Sequence, residues 1–187
     1  MEFDIKLKDY PVVNVSWVDA IKFCNNLSEM LTLEKCYTLN SVSEKITVDV
    51  SKNGFRLPTD GEWQFACRGG EKGYRYGDID EIAWFEENSN GRLHQVKTKK
   101  SNNFGLFDMI GNVWEWCCNH RGIPFEEIEE DASRPINFEY EYAIRGGSFL
   151  CHCSYCNRYR VAARNGALWD STSSHLGFRC VRNVGGR

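Results

Sequence analysis

The chain has 187 residues, 42% hydrophobic and 26% charged, which suits one domain with a sizeable core. A formal net charge of −3 argues against a nucleic-acid partner, because phosphate contacts call for a clustered basic excess. No apolar run approaches the roughly 18 residues of a membrane helix, and 6 Trp, 8 Tyr and 11 Phe argue against disorder. Residues 1–6 lack the basic-then-apolar layout of a secretory signal, so a cytoplasmic protein without membrane attachment is expected.

In chain order, Ser16 is a good N-cap with Asp19 three residues on. Apolar positions then recur at Trp17, Ala20, Ile21, Cys24 and Leu27, which predicts a helix. Residues 36–50 read as a hairpin, and Asn53-Gly54 as a turn. Thr59 and Glu62 form a capping box for a second helix, with Trp63, Ala66 and Cys67 on one face and Gly69-Gly70 at its end. Residues 74–103 read as turn-rich with weak strands. Residues 126–131 hold five acids around Ile128 and read as a solvated loop. Residues 142–148 form a strand ending in Gly-Gly, and the remainder reads as aromatic, Arg-rich loops. Two short helices among short strands and long loops predict an α+β fold in which loops carry the function. The chain is read as a single domain over residues 1–187.

The nine cysteines stand at positions 24, 36, 67, 117, 118, 151, 153, 156 and 180. An odd count cannot pair wholly within one chain. Cys153 and Cys156 form a single Cys-x-x-Cys, and adjacent Cys117-Cys118 is a poor second half-site for structural zinc. A thioredoxin-type redox motif stays open, although glycines rather than a helix start precede it. The single cysteines, Cys36 and Cys118 above all, read as small buried hydrophobes.

Four segments go beyond general physics. They are Gly54-Phe55-Arg56-Leu57-Pro58-Thr59-Asp60-Gly61-Glu62-Trp63, the run from Phe104-Gly105-Leu106-Phe107 through Asp108-Met109-Ile110-Gly111-Asn112-Val113-Trp114-Glu115-Trp116, Arg145-Gly146-Gly147-Ser148-Phe149, and Leu176-Gly177-Phe178-Arg179. Together they resemble the formylglycine-generating enzyme family, the sulfatase-modifying factors, over about residues 11–181. The resemblance implies that family's irregular, loop-rich fold, related to C-type lectins.

It also implies a reaction. A cysteine in a Cys-x-Pro-x-Arg motif of an unfolded sulfatase, or of a similar protein, would be oxidised to Cα-formylglycine with O₂ as co-substrate. Cys151 and Cys156 fall on the family's pair of cysteines five residues apart. Two thiolates suit Cu(I), a soft ion that prefers sulfur. An inert thiol pair or a disulfide is the ordinary alternative. Ser148 falls on the family serine beside the oxygen pocket. Trp114 and Tyr155 fall on aromatics of the substrate groove, and Arg164 is the best candidate among Arg158, Arg160 and Arg164 for contact with substrate. His175 stands where Asn is common and reads as ligand-facing or as a surface residue. Asp108, Gly111, Val113 and Glu115 fall on a structural Ca²⁺ site that mixes side-chain and carbonyl oxygens.

The chain departs from the family pattern in three ways. Family enzymes usually open with a longer stretch ahead of the segment that begins here at Pro11. Cys24 and Cys180 fall where secreted members have a disulfide, optional in a reducing compartment. Cys67 falls on half of a second bridge whose partner position is Val161, so a free, buried Cys67 is expected. Cys153 intrudes between the copper cysteines. A non-catalytic, lectin-like binding module is the alternative reading. A His-rich iron enzyme is the third and fits least, because His94, His120, His152 and His175 lack helical metal spacing. A monomer is expected.

Overall fold

The first helix, α1 (Trp17–Met30), begins as its sequence requires. Ser16 Oγ accepts from the Asp19 amide at 3.1 Å, and the Asp19 carboxylate accepts from the Ser16 amide at 3.1 Å, which satisfies two otherwise orphaned donors. Trp17, Ala20, Ile21 and Cys24 are buried on its inner face. Two polar residues continue that face. Asn25 exchanges hydrogen bonds with the Tyr37 backbone, and Ser28 Oγ accepts from the Phe55 amide at 2.7 Å. The helix thereby fixes the strands that follow it, β1 (Tyr37–Asn40), β2 (Lys45–Val48) and β3 (Phe55–Arg56). The computed structural model describes residues 8–40, 45–132, 137–152, 154 and 159–184.

Strands β1 and β2 form the expected antiparallel hairpin, with Tyr37 opposite Val48. Helix α2 (Asp60–Arg68) carries the predicted capping box from Thr59 to Glu62, and it ends on Gly69 in the left-handed region. The central sheet has the order β6 (Arg164–Ala167), β5 (Tyr142–Arg145), β4 (Trp114–His120), β7 (Leu176–Gly177). β4 runs antiparallel to β5 and parallel to β7. All seven residues of β4 are buried. β8 (Val181–Arg182) pairs with β3.

Trp17, Trp63 and Trp116 are almost wholly buried. A buried indole needs an acceptor for its N–H. Each has one: Cys117 O for Trp17, Glu115 Oε2 for Trp63 and Val15 O for Trp116, at 2.7–3.1 Å. The three indoles thus lock α1, α2 and β4 in place by polar as well as apolar contacts.

Three expectations are corrected. Residues 74–103 hold no strand; they form two one-turn helices, α3 (Ile79–Ile82) and α4 (Glu86–Ser89). Local side chains supply the caps: Asp78 accepts from the Asp80 amide, and Asn88 Oδ1 from the Phe85 amide. Residues 126–131 are also no solvated loop. A 3₁₀ turn (Phe125–Glu127) leads into α5 (Ile128–Asp131), in which Ile128 and Asp131 are buried. Asp131 turns inward because three donors meet it: the His120 ring, the His120 amide and Asn119 Nδ2. Those hydrogen bonds outweigh the cost of burying a carboxylate. Strand β6 also forms within the segment read as loop. No described helix is long and apolar enough to cross a membrane.

Candidate functional site

Strand β5 ends at Arg145, and the chain then bends through Gly146 (φ 94°) and Gly147 (φ 77°). Side-chain-bearing residues rarely adopt that region, and a Cβ on Gly146 would stand 3.1 Å from Met109 O. The bend delivers a tight turn over residues 148–151, closed by the Cys151 amide donating to Ser148 O at 2.9 Å. The Cys151 sulfur in turn accepts from the Ser148 amide at 3.3 Å and lies 3.9 Å from Ser148 Oγ. Ser148 and Cys151 are both buried, so the predicted serine and first copper cysteine are brought together.

The turn is clamped from one side by α4 and the loop after it. Ser89 Oγ donates to Phe149 O at 2.8 Å, the Glu86 amide donates to Cys151 O at 3.1 Å, and the Phe149 amide donates to Asn112 O at 2.9 Å. Asn112 exchanges hydrogen bonds with the His94 backbone, and the His94 ring, stacked on Trp84, lies 2.8 Å from Ser89 O. Sequence reasoning passed over Ser89 and Asn112, and weighed His94 only as an iron ligand. The one local signal was Asn112 after Gly111, a residue type that tolerates the left-handed conformation it adopts here (φ 59°). On the rim, His152 Nε2 lies 3.9 Å from both Glu86 and Glu87. Cys153, Tyr155, Cys156 and Arg158 lie outside the described residues, so the expected copper pair is defined on its Cys151 side.

Trp114 and His175 meet beside this turn. The Trp114 amide donates to His175 O at 2.8 Å, and the His175 ring stands edge-on to Phe149 at 6.4 Å. Burial lowers the His175 pKa, which keeps the imidazole neutral at pH 7. Trp114 itself is a buried core residue and not an open groove wall. Arg164, the candidate for contact with substrate, spends hydrogen bonds on the protein itself. Its guanidinium donates to Arg121 O, Ile123 O and the Asp60 carboxylate. Asp60 is fully buried and also pairs with buried Arg145. Arg164 therefore braces β6 against α2.

The loop before β4 holds the second constellation. Asp108 and Asn112 take positive φ, and Gly111 (φ 81°) packs so closely that a Cβ would lie 2.4 Å from Trp84 O. Asp108 Oδ2 accepts from the Lys97 amide at 2.8 Å, while its buried Oδ1 has no partner among the described residues. Burial raises the Asp108 pKa. Glu115 is different: Oε1 accepts from Arg179 Nη2, and Oε2 accepts from Arg179 Nε and Trp63 Nε1, all at 2.7 Å. Glu115 is thus already neutralised by Arg179 and is not an open ligand. Asp108, Glu115 and Arg179 line a cavity of about 330 Å³. Among the described residues, no three His, Cys, Asp or Glu side chains gather as a metal-ligand set. An unpartnered, buried carboxylate oxygen such as Asp108 Oδ1 is a donor of the kind a hard cation takes.

The remaining thiols follow their expected places. Cys24 and Cys180 face each other with sulfurs 3.6 Å apart, unbonded but within reach of a disulfide. Cys67 is free and fully buried, and burial raises its pKa to about 12. Cys36, Cys117 and Cys118 are buried in the core cluster.

Comparisons with known proteins show which family the chain belongs to. The family profile of the sulfatase-modifying factor enzyme 1-like domain matches residues 4–184. The formylglycine-generating enzyme of Streptomyces coelicolor is 35% identical over 94% of this chain and 54% of its own length. The inactive C-alpha-formylglycine-generating enzyme 2 of Bos taurus is 29% identical over 95% of this chain and 50% of its own length. The chain thus spans about half the length of the curated relatives it matches. Among solved structures, Treponema denticola variable protein 1 superposes with a TM-score of 0.78 at 33% identity, covering 96% of this chain and 73% of that one.

Proposed function

Because the chain belongs to the sulfatase-modifying factor family, we propose that it oxidises a cysteine of a partner polypeptide, such as the Cys-x-Pro-x-Arg motif of an unfolded sulfatase, to Cα-formylglycine. The observation that carries this reading is the buried turn in which the Cys151 sulfur sits against the Ser148 amide and hydroxyl. A buried sulfur held by a backbone donor suits a soft ion. Cys151 and Cys156 would hold Cu(I), which when bound supplies the one-electron chemistry that lets O₂ react with a thiol.

The chain's own residues do the rest. The Ser148 amide orients the Cys151 sulfur, and the Ser148 hydroxyl is placed to donate to an oxygen species or to the substrate. The clamp from Ser89, Asn112 and Glu86 holds the turn against movement, so the sulfur is preorganised. Neutral His175, beside Phe149, can accept a proton from a donor entering the rim. Ca²⁺ would bind at Asp108 with the carbonyls of Gly111 and Val113, with Glu115 remaining on Arg179. A reducing compartment such as the cytoplasm would keep the thiols available, and the monomer would meet the substrate.

The second reading, a non-catalytic binding module, is favoured by the likeness to the variable protein and to the inactive paralogue. A Cu(I) titration of the reduced protein against a chelator separates the two. The enzyme reading expects one tightly bound Cu(I), lost in both Cys151→Ser and Cys156→Ser. Binding that survives both substitutions overturns the assigned site.

A further inference from the structure

Downstream of Cys151, Tyr159 and Val161 meet residues 74–75. The Val161 amide donates to Tyr74 O at 2.9 Å. Arg75 Nε donates to Tyr159 O at 3.0 Å, and the half-buried guanidinium lies over two rings, Tyr74 at 4.9 Å and Tyr159 at 5.2 Å. Tyr159 is itself buried and packs on Phe85 at 5.2 Å. The residue after Phe85 is Glu86, whose amide donates to Cys151 O. The Arg75 side chain is thus held at three points, one shell of residues away from the candidate site.

An arginine fixed in this way ordinarily meets an acid. Arg56 pairs with Glu62, Arg145 and Arg164 with Asp60, and Arg179 with Glu115. Arg75 pairs with no carboxylate among the described residues. Positions 153 and 155–158, which lie outside them, are Cys, Tyr, Cys, Asn and Arg, so none is an acid. The acids nearest Arg75 in sequence are engaged elsewhere: Asp78 caps α3, and Glu71 accepts from Asn103 Nδ2 at 2.8 Å.

The unused donors define the ligand. With Nε on Tyr159 O, Arg75 keeps its two Nη groups, which have no hydrogen-bond partner among the described residues and are not sealed from solvent. Such a pair of parallel N–H donors matches the two oxygens of a carboxylate. An exposed ion pair is usually weak partly because both side chains must be ordered to form it. Stacking between two tyrosines has already ordered this one.

We propose that Arg75 anchors a carboxylate of the polypeptide entering the candidate site, and so favours substrates with an acidic side chain flanking the reacting cysteine. This deepens the proposed oxidation, on whose polypeptide substrate it rests, and it involves no metal.

The test is fluorescence anisotropy with the whole, reduced, copper-free protein and labelled peptides built on Ser-x-Pro-x-Arg, in which serine replaces the reacting cysteine so that no chemistry intervenes. A single Glu or Gln is placed at each flanking position in turn. At one position or more, the Glu peptide should bind about fivefold more tightly than its Gln twin, and the gap should narrow as salt rises. Arg75→Gln should abolish the gap, while Arg75→Lys, which keeps the charge and loses the fork, should retain only part of it. The anchor is overturned by Glu and Gln peptides that bind alike at every position, by a gap that persists in Arg75→Gln, or by peptides that do not bind at all. Oxidation of the cysteine peptides is read separately. A Glu preference without oxidation keeps the anchor and removes the oxidase, and oxidation without a Glu preference does the reverse.

Discussion

Asp108 carries a buried carboxylate oxygen that no group among the described residues meets, while Glu115, seven residues on, has both oxygens hydrogen-bonded. Sequence similarity alone gave both the same role as calcium ligands. The difference comes from Arg179, which reaches Glu115 from a distant part of the chain and so lies beyond local reading. Asp108→Asn removes a buried charge and keeps one oxygen. It should raise the melting temperature of the chelator-treated protein and shrink the increase that Ca²⁺ brings. Thermal melts with and without Ca²⁺ check this, and a wild-type melt indifferent to Ca²⁺ contradicts it. The same limit of local reading applies to the turn. Ser148 and Cys151 were legible because they stand in a recognisable run. Ser89 was not, because its value lies in a hydrogen bond to Phe149, sixty residues away.

Elements with strong local start signals were legible. The capping boxes at Ser16 and Thr59 located α1 and α2, and the strand running into Gly-Gly located β5. Residues 74–103 were misread because one-turn helices are too short to show a period, so only their caps betray them. The acids of residues 126–131 were misread because Asp131 is buried by donors from β4 and not by anything near it in sequence. The start of α2 also makes an acid-sensitive joint. Glu62 would be pushed up by burial, but Arg56 and the Thr59 amide bond its charged form, and the net result is a lowered pKa. A lowered carboxylate pKa contributes stability above its ordinary value of 4.5, which is lost as pH falls through the folded value. Urea unfolding across that range should therefore fall less steeply with acidification in Glu62→Gln than in wild type. The variant should also be weaker at neutral pH, since buried Arg56 loses its partner. Parallel acid limbs in the two proteins contradict the assignment.

At the scale of the whole molecule, one central sheet gathers segments that are far apart in sequence. β4 lies between β5 and β7, so the turn after β5, the loop before β4 and His175 before β7 converge at one end. The family resemblance anticipated which segments matter; pattern reasoning without it placed helices, strands and loops but not their neighbours, because sheet order is not written in local periodicity. The central claim concerns that end. Converting a CH₂SH group and O₂ into an aldehyde, hydrogen sulfide and water balances only with two further electrons and protons, so a thiol reductant belongs in the assay. The most direct test is mass spectrometry of a Cys-x-Pro-x-Arg peptide incubated with copper-loaded protein, O₂ and that reductant. The account predicts loss of the peptide sulfur with gain of an aldehyde, abolished in Cys151→Ser; an unchanged peptide with protein verified to carry copper contradicts it.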